Sequence, residues 1–185
     1  MAFKNAIDSL AAVFFPAPCG ICGQTLITAS RIPICASCLN RFERIRDPLC
    51  ACCGRPLVAF AAHSTPLARE VGLDLRCRLC RSGFYAFDRA RSFAVYDRAL
   101  ADAVLLLKYE QVASLADWFG ARLAEVATTA GSDWHIDVVV PVPLHRDRRR
   151  ERGYNQAELI ARAVARRLKL RLESKLMVRV KPRPP

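Results

Sequence analysis

Apolar residues change their rhythm along the chain near residue 84. Before it they fall in short clusters between cysteines, glycines and prolines; after it they recur at helical or strand spacing. Leu100, Ala103, Val104 and Leu107 follow an i, i+3, i+4, i+7 pattern and predict an amphipathic helix. A second helix is expected after Ser114, with Leu115, Phe119, Leu123 and Val126 as its core-facing stripe. Ala90 to Tyr96 reads as a strand with Phe93 and Val95 on one face. The run Ile136-Asp137-Val138-Val139-Val140 has the β-branched, apolar character of a parallel strand buried on both faces. It stops at Pro141-Val142-Pro143-Leu144, because proline has no N–H to give to a central strand. After Gly153-Tyr154 the positions Ala157, Ile160, Ala161, Val164 and Leu168 predict a further helix. Asn155 with Glu158 three residues on resembles a capping box at its start. Near the N-terminus, the apolar patch from Leu10 to Phe15 is read as a short amphipathic helix.

The first half is organised by cysteine. Eight of the nine cysteines form C-x-x-C pairs: Cys19/Cys22, Cys35/Cys38, Cys50/Cys53 and Cys77/Cys80. Two such turns can bring four thiolates to one ion at about 2.3 Å each, the geometry of a closed structural zinc site. Gly20, Gly23 and Gly54 sit in or beside these turns, where backbone freedom helps N–H groups reach sulfur. The sequential grouping joins Cys19, Cys22, Cys35 and Cys38 on one zinc, and Cys50, Cys53, Cys77 and Cys80 on another. It closes shorter loops than an interleaved grouping of first with third and second with fourth pair. An iron–sulfur cluster uses the same ligands and stays an alternative. Cys52 is left over and reads as a passive neighbour within its turn. All-cysteine sites with no open position stabilise a fold rather than carry out chemistry.

Composition narrows the class. The hydrophobic content of 52% excludes a disordered chain. No apolar run approaches the roughly 18 residues that a membrane-spanning helix needs. The N-terminus lacks the basic segment and small-residue exit of a secretion signal, so the expected location is the cytoplasm. An odd cysteine count without an export signal points to metal rather than disulfides.

The net charge of +12 is unevenly placed. Residues 146–185 hold fourteen Lys/Arg against four Asp/Glu, a net +10, whereas residues 91–145 hold four against seven, a net −3. Arg146, Arg148, Arg149, Arg150 and Arg152 lie between the predicted strand and the predicted helix, and the stretch is read as a basic loop. Strand, basic loop and helix is the order in which α/β proteins bind anions beyond a strand's carboxyl end. Arg162, Arg166, Arg167 and Lys169 read as a solvated helix face. Two domains are expected: residues 1–83, a zinc module with the N-terminal helix, and residues 84–185, of the α/β class.

Taken in order, the four cysteine pairs, Leu107-Lys108-Tyr109, Pro141-Val142-Pro143-Leu144 and Arg152-Gly153-Tyr154-Asn155-Gln156 resemble the ComF (ComFC) competence-protein family. The resemblance implies a double zinc ribbon joined to a type I phosphoribosyltransferase-like domain. It implies that residues 137–145 form the first core strand and its pyrophosphate-side loop. It places Lys108 and Tyr109 on a hood-side helix, and Arg149, Arg152, Asn155 and Gln156 around the ligand cleft. The bland readings are a surface role for Lys108 and simple helix capping for Asn155. For a full-length form it implies phosphoribosyl pyrophosphate, or another phosphorylated ligand, with Mg²⁺ as cofactor. Single-stranded DNA and proteins of the competence machinery are the implied partners, in DNA uptake.

The chain departs from the type I pattern at one point. These enzymes hold the ribose hydroxyls with two adjacent acidic residues and the 5′-phosphate with a Thr/Ser/Gly loop after a later strand. This chain has no adjacent acidic pair, and its Thr128 to Gly131 follows a helix. The expectation is a domain truncated before the phosphate loop, with an exposed strand edge and no phosphoribosyl transfer of its own. The alternative is a non-catalytic zinc-ribbon protein that binds DNA or docks a partner. Steep salt dependence of DNA binding would favour the alternative; competition by phosphoribosyl pyrophosphate would favour the first reading.

Overall fold

The computed structural model describes residues 17–26, 31–57, 75–130 and 134–181. The N-terminal helix expected around Leu10 lies outside the described residues, as does Gly131 of the Thr-Thr-x-Gly stretch.

Two cysteine turns of the same construction open the fold. Around Cys19 and Cys22, Pro18 bridges antiparallel to Thr25; around Cys50 and Cys53, Leu49 bridges to Pro56. In each, the first cysteine's N–H reaches across the turn, Cys19 to the Gln24 carbonyl and Cys50 to that of Arg55, both at 2.8 Å. Gly23 and Gly54 close the turns at φ of 73° and 68°, left-handed values that glycine adopts without strain. A short helix follows each partner pair's first cysteine: α1, Ala36–Asn40, after Cys35, and α2, Arg78–Arg81, after Cys77.

The helices predicted from apolar spacing are present. α3, Arg98–Tyr109, is capped by Asp97, whose carboxylate accepts from the Leu100 N–H at 2.9 Å, and it buries Leu100, Ala103, Leu106 and Leu107. α4, Leu115–Thr129, buries Leu115, Ala116, Phe119, Gly120 and Ala124. One core cluster joins these faces to Cys19, Leu26, Ile34, Cys38 and Phe42, so the first cysteine module and the helices share an interior. Trp118 meets Phe42, Phe93 and Phe119 edge-on, at centroid distances of 5.5, 5.7 and 5.3 Å.

The C-terminal part holds a small parallel sheet. β1, Val138–Val139, pairs with β2, Arg171–Leu172, in the register Val138 to Arg171 and Val139 to Leu172. Between them run α5, Arg146–Arg152, and α6, Gln156–Leu168. α6 lies against α4, where a Cβ on Gly120 would stand 2.4 Å from the Ala163 Cβ. Arg166 on α6 and Asp117 on α4 meet at 2.7 Å across the same contact.

Four expectations need correction. Among the described residues Ala90–Tyr96 makes a single bridge, Ala94 to Arg44, its cross-chain hydrogen bonds there being confined to Glu43 and Ile45 and the backbone bending at Phe93. Phe93 packs on the core while Val95 is exposed, so the two do not share a buried face. β1 is two residues long and half-buried rather than enclosed on both faces, since β2 is its one partner among the described residues. The arginine stretch is a helix, not a loop. His145 Nδ1 accepts from the Asp147 N–H at its start, Arg148 pairs with Glu151 at 3.0 Å, and Gly153 ends it in a left-handed conformation. The capping box is half made: Asn155 Oδ1 accepts from the Ala157 N–H at 3.0 Å, while Glu158 turns to Arg149 and Arg162.

Candidate functional site

The sulfurs of Cys19, Cys22, Cys35 and Cys38 all lie within 4.8 Å of one another, and so do those of Cys50, Cys53, Cys77 and Cys80. This is the sequential grouping. Four Zn–S bonds of about 2.3 Å directed to a tetrahedron set S···S edges of about 3.8 Å. Cys22 and Cys35 are 3.8 Å apart, and Cys53 and Cys77 are 3.7 Å apart. Backbone donors complete each set: the Cys35 N–H reaches the Cys19 sulfur, and the Cys77 N–H the Cys50 sulfur, both at 3.3 Å. The donor set and its spacing fit one four-coordinate ion per tetrad, with these eight cysteines as ligands. Cys52 stays outside, its sulfur 3.9 Å from the Phe87 carbonyl.

The thiols within a tetrad are not equivalent. Burial opposes ionisation of Cys19, yet N–H groups of Cys22, Cys35 and Ile21 outweigh it and bring the pKa down to about 6. Cys50 is lowered to about 6 in the same way, against its own burial, by the N–H groups of Cys77, Cys53 and Cys52. Burial pushes Cys38 up to about 12, helped by the neighbouring thiols, and raises Cys80 likewise. Cys19 in the first tetrad and Cys50 in the second are thus shifted toward the thiolate, Cys77 also being lowered by the Cys80 N–H, and a bound cation would supply the charge that ionises the rest. The two tetrads differ in setting. Cys19 and Cys38 belong to the main core cluster, whereas Cys50 and Cys80 are buried outside it.

The six residues expected around a phosphate cleft are brought together only in part. The Arg152 guanidinium lies over the Tyr109 ring at 4.7 Å, donates to the Tyr109 hydroxyl at 3.0 Å and reaches Gln156 Oε1 at 3.4 Å. Arg152 Nε is buried with no hydrogen-bond partner among the described residues. Asn155 is buried and committed: besides capping α6 it donates from Nδ2 to the Val142 carbonyl at 3.1 Å, tying the helix to the proline-rich turn. Arg149 pairs with Glu158 at 3.2 Å. Lys108, half-buried in the last turn of α3, makes no ion pair among the described residues.

Two participants were not singled out from sequence. Tyr154 donates its hydroxyl to the Leu107 carbonyl and pins the α5–α6 turn to α3; burial raises its pKa. His145 is buried at the N-cap of α5, with Nδ1 3.2 Å from the Asp147 carboxylate. Its place between Pro-Val-Pro-Leu and the arginines was the available signal.

Comparison with known proteins gives the class first. Residues 10–81 match the double zinc ribbon domain, and two cysteine tetrads of that kind fit two structural zinc ions. The chain is also 29% identical over 133 residues to competence protein ComFC of Bacillus subtilis (strain 168), covering 72% of this chain and 52% of that protein. Together the matches support membership of the ComFC family. The chain spans about half the length of the curated relative it matches. No solved structure matches it. Among the described residues, no helix is long and apolar enough to cross a membrane.

Proposed function

We propose that this chain is a ComF-like, competence-associated protein of the cytoplasm, in which a double zinc ribbon organises part of a phosphoribosyltransferase-like domain. The boundary between the two falls near residue 83. β1, α5, α6 and β2 form one β-α-β crossover of the α/β kind, with the arginines beyond the carboxyl end of β1. The observation that carries the reading is the Arg152 guanidinium, held by Tyr109 and Gln156 and retaining a buried, unpartnered Nε. A fixed guanidinium after a parallel strand suits a phosphate or pyrophosphate group. Lys108, Tyr109, Arg149, Arg152, Asn155 and Gln156 make up the proposed phosphate-side site. Asn155 acts there by holding the turn rather than by touching ligand. Mg²⁺ would arrive with phosphoribosyl pyrophosphate and neutralise its pyrophosphate charge.

As written, the 185-residue chain is proposed to bind this ligand class without transferring a phosphoribosyl group, since no adjacent acidic pair is present to hold the ribose. Titration calorimetry with phosphoribosyl pyrophosphate and Mg²⁺ tests this. Saturable binding that Arg152→Ala weakens at least tenfold is expected. Undiminished binding by that variant, or turnover by the chain, would contradict the reading. In the alternative, a non-catalytic DNA-binding or partner-docking role, single-stranded DNA would bind with steep salt dependence and no competition from phosphoribosyl pyrophosphate.

A further inference from the structure

A second basic site lies apart from Arg152, beside the cysteine turns and against α4. Between the extended segment at Arg44 and helix α4 runs a cleft of two lobes that share Arg44, Phe93 and Arg122. The smaller lobe, about 250 Å³, is bounded by Phe42 and Trp118. The larger, about 1000 Å³, adds Arg46 and Arg91. Beyond the shared residues, the smaller lobe adds aromatic rings and the larger adds cations.

The cations are placed for an outside partner. Arg91 donates to the carbonyls of Ala90, Ala51 and Cys52 at 2.8, 3.1 and 3.3 Å, which fixes its guanidinium, and no carboxylate pairs with it among the described residues. Arg44 lies over the Phe93 ring at 5.3 Å and has no carboxylate partner among the described residues. Arg46, two residues on along an extended segment, falls on the same side of the backbone as Arg44. Arg122 lies over Trp118 at 5.6 Å, and its Nε is buried without a hydrogen-bond partner among the described residues. The carboxylates facing the cleft are Glu125, paired with Arg122 at 2.8 Å, and Asp47, which already has a partner of its own. Four guanidinium groups against two engaged carboxylates favour an anion. Guanidinium planes over aromatic faces favour a flat ring beside it.

We propose that this cleft binds a nucleoside phosphate, with the base in the aromatic lobe and the phosphates among Arg44, Arg46 and Arg91. The site is independent of the Arg152 site. Both tryptophans report on it, since Trp118 borders the small lobe and Trp134 lies 5.6 Å beneath Arg91. The test is titration of the zinc-loaded chain with ADP, followed by tryptophan fluorescence and calorimetry, with inorganic phosphate and an oligo(dT) strand as comparison probes. Saturable ADP binding that changes tryptophan fluorescence is expected, weakened at least tenfold in Arg44→Ala/Arg46→Ala. Both replaced arginines are exposed, so the double variant should keep its zinc content and helical circular dichroism. No saturable ADP binding, equal binding by the double variant, or binding of the oligonucleotide alone would overturn the proposal.

Discussion

Gly20, inside the first cysteine turn, lies so close to Leu106 of α3 that a Cβ on it would stand 2.8 Å from Leu106 Cδ1. The contact joins the zinc ribbon to the helices. Since Cys19 and Cys38 also sit in that core, the first zinc and the helical fold should form one cooperative unit. Leu106→Ala removes the side chain on which the turn rests, at a cost of about 2–5 kcal/mol. Thermal denaturation should show this loss, and the first zinc should become easier to chelate. An unchanged chelation profile would show that the two parts are energetically separate.

The two tetrads should differ when each is broken. Cys38→Ser removes a ligand buried in the main core and should lose one zinc together with much of the helical signal. Cys80→Ser removes a ligand buried outside that cluster and should lose one zinc while α3 and α4 persist. Metal analysis with circular dichroism on both variants checks the asymmetry.

Gly120 marks a close contact between α4 and α6. Its Cβ position meets Ala163 Cβ at 2.4 Å and the Ile160 carbonyl at 3.1 Å, and neither can swing aside as a flexible side chain would. Gly120→Ala should therefore destabilise by about 1–3 kcal/mol, despite alanine's better helix propensity. Urea denaturation measures it.

The ion pair between Asp117 and Arg166 sets a small pH dependence. The hydrogen bond and charge of Arg166 hold the Asp117 carboxyl below its ordinary 3.8, so the unfolded chain binds this proton more readily than the folded one. The contribution is full above the ordinary value and disappears as pH falls through the lowered one. Both side chains are more than half exposed, so solvent screening limits it to about 0.2–1 kcal/mol. Asp117→Asn should reduce stability by that amount at pH 7 and show no difference from the parent in strong acid.

Much of this was legible in the chain. α3 and α4 followed from apolar spacing, but of the stripe expected on α4 only Leu115 and Phe119 are buried, with Ala116, Gly120 and Ala124 in place of Leu123 and Val126, because close packing against α6 favours small residues there. The cysteine pairs carried the metal chemistry, and loop length separated the groupings. The arginine stretch was misjudged because its helix has no apolar stripe; its signals were the Arg148–Glu151 pair and Gly153 as a stop. The pairing of β1 with β2 was missed too, although Leu170, Leu172 and their polar neighbours Lys169, Arg171 and Glu173 alternate as a short strand does; the run is brief and directly follows a helix. Nor does sequence spacing reveal that Arg152 meets Tyr109 across forty-three residues.

The most direct test is native mass spectrometry of the 20.6 kDa chain with and without a zinc chelator, alongside circular dichroism. The account predicts a mass increased by two zinc ions, and a helical signal that falls with loss of the zinc bound by Cys19, Cys22, Cys35 and Cys38. A fully helical chain carrying one zinc or none would contradict it.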